Sequence, residues 1–313
     1  MIGLLRAELL RLRSRRAIQV LVIGLAVLLL LIVISLFINS SGNPPNEETL
    51  EAARRQYEEV LRQCEGPEID CGPEFTEDLQ VEDFYEDPRF ILGKDVEVPL
   101  LVYAVFATLI SFMVGATSMG SEGHHNTLGH LLLWEPRRGR VLLAKAAAAA
   151  VATALMALAL LCLLFAGMWV VAATRGVTNA PSGFWGETAA TIGRASLLAG
   201  LAGLLGIAVT SLLRSTAAAV GMGLAYLAAL ERFLAAFRPE WRPWMAGDLA
   251  SAVLTGENRL IVGERLVELP GGGFEHVPIE VVIGAGRGLL VLGAYLAVLL
   301  AIAILEFRRR DVT

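Results

Sequence analysis

Six apolar runs, 17–38, 100–120, 141–173, 195–213, 216–237 and 288–305, alternate with polar stretches along the 313-residue chain. A helix needs about 20 such residues to cross the hydrocarbon of a bilayer. The pattern therefore predicts an all-α integral membrane protein with six transmembrane helices. The third run is longer than a bilayer is thick, so its helix should tilt or project beyond the membrane. Gly200, Gly203 and Gly206 recur at three-residue spacing in the fourth run, where small residues let helix backbones approach closely.

The first run follows MIGLLRAELLRLRSRR. Its apolar core is too long for a signal peptide, and NSSGNPP after it offers no small-residue cleavage site, so it reads as a retained helix. Within residues 1–16, Ile2, Leu5, Leu9 and Leu12 fall at helical spacing with arginines on the flanks. This is the pattern of an amphipathic helix lying in the membrane interface.

Composition agrees with the periodicity: 55% of residues are hydrophobic and 18% charged, which lies outside the soluble globular class. Half of the 26 Lys and Arg residues fall in the short segments that share a side with the N-terminus. The positive-inside rule then places both termini in the cytoplasm. The formal net charge of −5 comes from the other side, so it gives no reason to expect a nucleic-acid partner. The external segment 39–99 alone carries 17 acidic and five basic residues. In it, 47–63 reads as a helix with Leu50, Ala53, Tyr57, Val60 and Leu61 on one face. Cys64 and Cys71 flank a Gly/Pro break and, on the oxidising side of a cell membrane, are expected to form a local disulfide.

The last external stretch, 231–287, should hold a short interfacial helix over 243–254. Trp241 and Trp244 would anchor it at headgroup level, with a hairpin-like or irregular loop following. Glu231 and Arg232, at the outer end of the fifth run, mark either the membrane boundary or the outer part of a transport path.

Candidate chemistry is sparse. No G-x-x-x-x-G-K-[ST] occurs, and Gly271, Gly272 and Gly273 lead into Phe274 without a lysine, so the chain has no P-loop. His124, His125 and His130 lack an H-E-x-x-H arrangement or a cysteine nearby, which argues against a metal site. No G-x-S-x-G elbow occurs either. What stands out is segment 121–140, SEGHHNTLGHLLLWEPRRGR, whose Leu128, Leu131, Leu132 and Trp134 expose more apolar surface than a simple turn tolerates. That points to docking.

This segment resembles the first cytoplasmic loop of permease subunits of type-2 ABC exporters. The likeness rests on Glu122, Asn126, Thr127, Leu128, Leu131, Leu132, Pro136, Arg138 or Arg140, and the Ala144-Lys145 pair. Asn126 and Ala144 stand where the family has glycine. The layout agrees: an N-terminal amphipathic elbow, six helices, a larger external segment after the first, and an FRRRDV ending. The resemblance implies an elbow helix over 1–16, crossings at 17–38, 100–120, three within 141–230, and 288–307, a coupling loop over 121–140, a re-entrant and external segment over 231–287, and a tail over 308–313.

It further implies that Glu122, Thr127, Leu128, Leu131, Trp134 and Pro136 form a coupling helix seated on a dimeric ABC ATPase. Arg140 and Lys145 would pass the motion to the third membrane helix. ATP and Mg would bind that partner and no cofactor would bind this chain, which is a transport subunit and not an enzyme. A second permease chain, identical or different, would complete the path, and membrane lipids would surround it. The apolar helices favour an amphipathic, lipid-like or drug-like cargo crossing the cell membrane. Two other classes stay open: a membrane-anchored sensor or immunity protein binding a cationic ligand through its acidic external segment, and a metal-dependent membrane enzyme built on Glu122, His124 and His125.

Overall fold

The computed structural model describes residues 2–64, 79–85, 87–124, 138–268 and 274–309. Its longer helices are α1 (Ile2–Ser14), α2 (Arg16–Asn39), α3 (Glu47–Cys64), α4 (Glu97–His124), α5 (Arg138–Arg175), α6 (Phe184–Leu213), α7 (Thr216–Ala225), α8 (Glu231–Phe237), α9 (Ala246–Thr255) and α10 (Ala285–Arg309). Two short strands, β1 (Phe90–Ile91) and β2 (Gly176–Val177), pair in parallel, and two long ones, β3 (Glu257–Glu268) and β4 (Phe274–Gly284), pair antiparallel.

Six helices are long and apolar enough to cross a membrane: Arg16–Asn39, Leu92–Gly120, Gly139–Arg175, Phe184–Leu213, Thr216–Phe237 and Ala285–Arg309. The chain is thus mainly helical with the makings of a multi-pass membrane protein. α5, at 38 residues, is about 57 Å long at 1.5 Å per residue, almost twice the roughly 30 Å hydrocarbon layer. The fourth crossing starts at Phe184, well before the apolar run at 195. Its first turns carry Glu187, Thr191 and Arg194, which lower hydropathy without opposing helix formation. The fifth crossing is continuous from α7 to α8 through a π-helical turn, Tyr226–Leu230.

The larger departure from an all-α design is the β3–β4 ribbon, with strands of 12 and 11 residues. Its register runs from Glu257 opposite Gly284 to Glu268 opposite Phe274, with an irregularity between Ile261 and Gly263. Alternation sets its two faces: Leu260 and Ile283 are buried against Leu249 and Ala252 of α9, whereas Ile261 and Val282 are exposed.

The described chain forms two compact units. The first comprises Met1–Leu29, Val98–Leu163 and Trp185–Thr313. Its core joins Met119 of α4, Leu142 and Ala146 of α5, Ile207 of α6, and Ala303 and Phe307 of α10. As the glycine spacing implied, α6 packs backbone to backbone. A Cβ at Gly206 would collide with the Phe112 carbonyl oxygen, and one at Gly203 would lie 2.5 Å from Thr153 Oγ1. That Thr153 hydroxyl also donates to Ala199 O at 3.2 Å, a hydrogen bond between α5 and α6.

The second unit comprises Leu30–Glu97 and Leu164–Phe184. α3 forms where the stripe predicted it. Ala53 is buried, and Tyr57 meets Phe84 of a short 3-10 turn edge-on at 6.0 Å. Phe90 pairs with Gly176 and Ile91 with Val177. The Arg175 guanidinium lies 3.9 Å over the Phe37 ring and donates to Phe37 O at 3.1 Å. Asp87 and Arg89 form a 2.7 Å ion pair. The hydrogen bond from the Arg89 side chain holds the Asp87 carboxyl below its ordinary value and, reciprocally, raises Arg89. Cys64 is disulfide-bonded and Cys162 is free; Cys71 lies outside the described residues.

Candidate functional site

The buried face of α1 carries charge. Leu9 and Leu12 pack with Ile18, Val114 and Ala148, as an amphipathic stripe should. Glu8 shares that face, because positions 5, 8, 9, 12 and 15 line one side of a helix. It is only 4% exposed, and its Oε2 accepts from Lys145 Nζ at 2.8 Å. Lys145, in the second turn of α5, is 5% exposed. Arg11, largely in solvent, donates to the other carboxylate oxygen at 3.0 Å, and Arg15 donates to the Ser118 carbonyl of α4. α1, α4 and α5 are therefore tied together by side chains that an interfacial helix would have turned to water or lipid headgroups. Taking two charges out of water is costly, and such a pair persists only when the geometry is good.

Of the eight residues expected to couple to an ATPase, Lys145 is thus buried in an ion pair and Arg140 is exposed on the first turns of α5. Thr127, Leu128, Leu131, Trp134 and Pro136 lie outside the described residues, as do His125 and His130. The Glu122 and His124 side chains are also outside, although both residues belong to α4.

An apolar cavity of about 580 Å³ lies in the first unit, within the size range of small-molecule sites. Phe112 of α4, Leu201 of α6, Gly223 of α7, Tyr226 of the π-turn, Ala250 of α9 and Leu296 of α10 each contribute to its wall. Leu198 and Leu296 are buried, whereas Leu224, Leu227 and Val298 are exposed, so the cavity opens along one rim. Three lining side chains carry hydroxyls, and each is engaged with backbone. Thr108 donates to Ala104 O at 2.8 Å, Tyr295 donates to Trp244 O at 3.2 Å, and Tyr226 accepts from Ala246 N at 3.4 Å. The wall therefore favours an apolar guest.

Glu231 and Arg232, expected as neighbours on a path or at a boundary, part company. Arg232 is exposed and Glu231 is 8% exposed, outside the cavity lining. The Glu231 Oε1 accepts the Gly247 N–H at 2.6 Å. The N-cap of α9, Met245, supplies no side-chain cap, so a carboxylate 16 residues upstream serves the start of that helix. Gly247 fits because a Cβ there would sit 2.7 Å from Glu231 Oε2.

Two functional candidates escaped sequence reasoning. Glu8 had a signal: it is the lone acid among five arginines in 1–16, and Lys145 is one of two lysines in the chain. Arg194 was hidden because the apolar run begins at 195, whereas the helix begins eleven residues earlier at Phe184.

Comparison with known proteins finds no matching family, no matching characterised protein and no matching solved structure.

Proposed function

We propose that this chain is the transmembrane permease subunit of an ATP-driven ABC exporter of the type-2 class. In this reading it lies in the cell membrane with both termini in the cytoplasm and moves an amphipathic, lipid-like or drug-like compound. A separate, dimeric ATPase binds ATP and Mg and seats on residues 121–140, and a second permease chain completes the path. The external segment 39–99 faces the opposite side.

The observation that carries it is the buried Glu8–Lys145 pair. Lys145 follows the docking-loop sequence by only a few residues and joins the base of α5 to α1. A push on the loop would reach both helices as one body, which is what alternating access by rigid-body motion needs. The apolar cavity among α4, α6, α7, α9 and α10 supports a hydrophobic or amphipathic cargo.

Affinity purification of the tagged full chain from its native membrane tests the proposal. A P-loop ATPase is expected in equimolar amount, and it should be lost when Leu128 and Leu131 are both changed to Asp. Recovery of the folded chain without any such ATPase would end the transport reading.

A further inference from the structure

Arg194 sits three turns into α6, on the stripe that continues as Leu198, Leu201 and Leu205 along the cavity wall. Positions four and seven apart share a helix face, so Arg194 stands about 6 Å along the axis from Leu198, just beyond the apolar lining. Its guanidinium has one partner among the described residues: Nη2 donates to Thr191 Oγ1 at 2.9 Å. Its Nε is buried with none. Gly256, at φ 97, lies beside it, and a Cβ at that position would come within 3.1 Å of Nη1. The C-cap glycine of α9 thus packs directly against the guanidinium.

A buried donor without an acceptor is costly, and an ionisable side chain within a membrane-crossing helix marks function by default. The guanidinium fork fits phosphate, sulfonate or carboxylate oxygens. The cavity lining holds no charged side chain; the Thr108 and Tyr295 hydroxyls donate to backbone carbonyls and Tyr226 accepts from Ala246 N–H, which leaves the Tyr226 O–H as the lining's neutral donor.

We propose that the cavity holds the apolar body of an acidic amphiphile whose anionic head is received by Arg194. This rests on the transport reading for its purpose and narrows the cargo to amphiphiles with a negative head. As a binding site it needs no ATPase, so its test is separable.

The full chain in phosphatidylcholine nanodiscs, without ATPase, is titrated with a pyrene-tailed sulfonate and with the matching pyrene-tailed alcohol, read by energy transfer from tryptophan. The sulfonate should bind about tenfold more tightly, the scale of one charge-assisted contact. Arg194→Gln should abolish that preference while leaving the alcohol's affinity unchanged, which also reports that the variant folds. Arg194→Lys, retaining charge without the fork, should keep part of it. Gly223→Leu, which drives a side chain toward the Phe112 ring, should weaken both probes. Phosphatidylglycerol should displace the sulfonate and millimolar inorganic phosphate should not.

Equal affinity for the two probes, a preference that survives Arg194→Gln, or sulfonate binding indifferent to Gly223→Leu would overturn the proposal. Displacement by phosphate but not by the lipid would reduce it to a simple anion site and overturn the amphiphile. ATP-driven transport that works while these results fail would leave the exporter standing without this cargo class; the reverse would leave the site without the exporter.

Discussion

Among the described residues of the first unit two carboxylates are buried, and they are satisfied in different ways. Glu8 on α1 meets the ammonium of Lys145 on α5; Glu231 on α8 meets the backbone N–H of Gly247 at the start of α9. In the first case two buried full charges meet across helices, with Arg11 on the outer carboxylate oxygen. In the second a carboxylate faces the partial positive charge of a helix N-terminus, and the helix retains most of its structure without it. Glu8–Lys145 fits a joint that transmits force, and Glu231–Gly247 fits a local brace that orients α9 beside the cavity.

Lys145→Met should have the largest effect. It leaves Glu8 only the partly exposed Arg11 as counter-ion, and removing the buried partner of such a pair costs about 3–5 kcal/mol. Thermal unfolding of the purified chain in detergent should show that loss. Glu8→Leu combined with Lys145→Met should restore most of it, since an apolar replacement of the whole pair is often neutral. Glu8→Gln keeps the shape and removes only the charge, and a loss of about 3 kcal/mol is expected. Glu231→Leu leaves the Gly247 N–H unmet and should cost about 1–3 kcal/mol. Glu231→Gln retains an acceptor, so less than about 1 kcal/mol is expected. Similar losses for Glu8→Gln and Glu231→Gln would erase the distinction.

Asp87–Arg89 supplies the mild end of the series. The Asp87 carboxyl is held below its ordinary value by the hydrogen bond from Arg89. Its folded value is therefore lower than its unfolded one, and the stabilisation is present above the unfolded carboxylate range near 3.8. It is lost as pH falls through the folded value. Hydrogen exchange across Arg89–Ile91 should accelerate below that range in the parent and show less pH dependence there in Asp87→Asn. At neutral pH the substitution should cost no more than about 1 kcal/mol, as near-surface pairs do.

The long helices were legible because a membrane crossing is a local property of some twenty consecutive residues. The α3 stripe and the glycine spacing of α6 were legible for the same reason, and both pack as expected. Glu8–Lys145 was not, because it joins positions 137 apart and no period in the sequence couples them. Arg194 was missed because hydropathy drops over Glu187–Arg194 although the helix continues. The β3–β4 ribbon was read only as a hairpin-like or irregular loop. Its full length shows once Leu260 and Ile283 are seen to alternate onto α9.

The exporter role is measured as ATP-dependent movement of a fluorescent amphiphile across proteoliposomes containing this chain and its co-purified ATPase. Transport should need ATP, Mg and both proteins. In the folded Glu8→Leu/Lys145→Met variant it should fall at least about tenfold while ATP hydrolysis persists, because the joint between α1 and α5 is gone. Amphiphile movement that is the same without ATP, or without this chain, would contradict an exporter role.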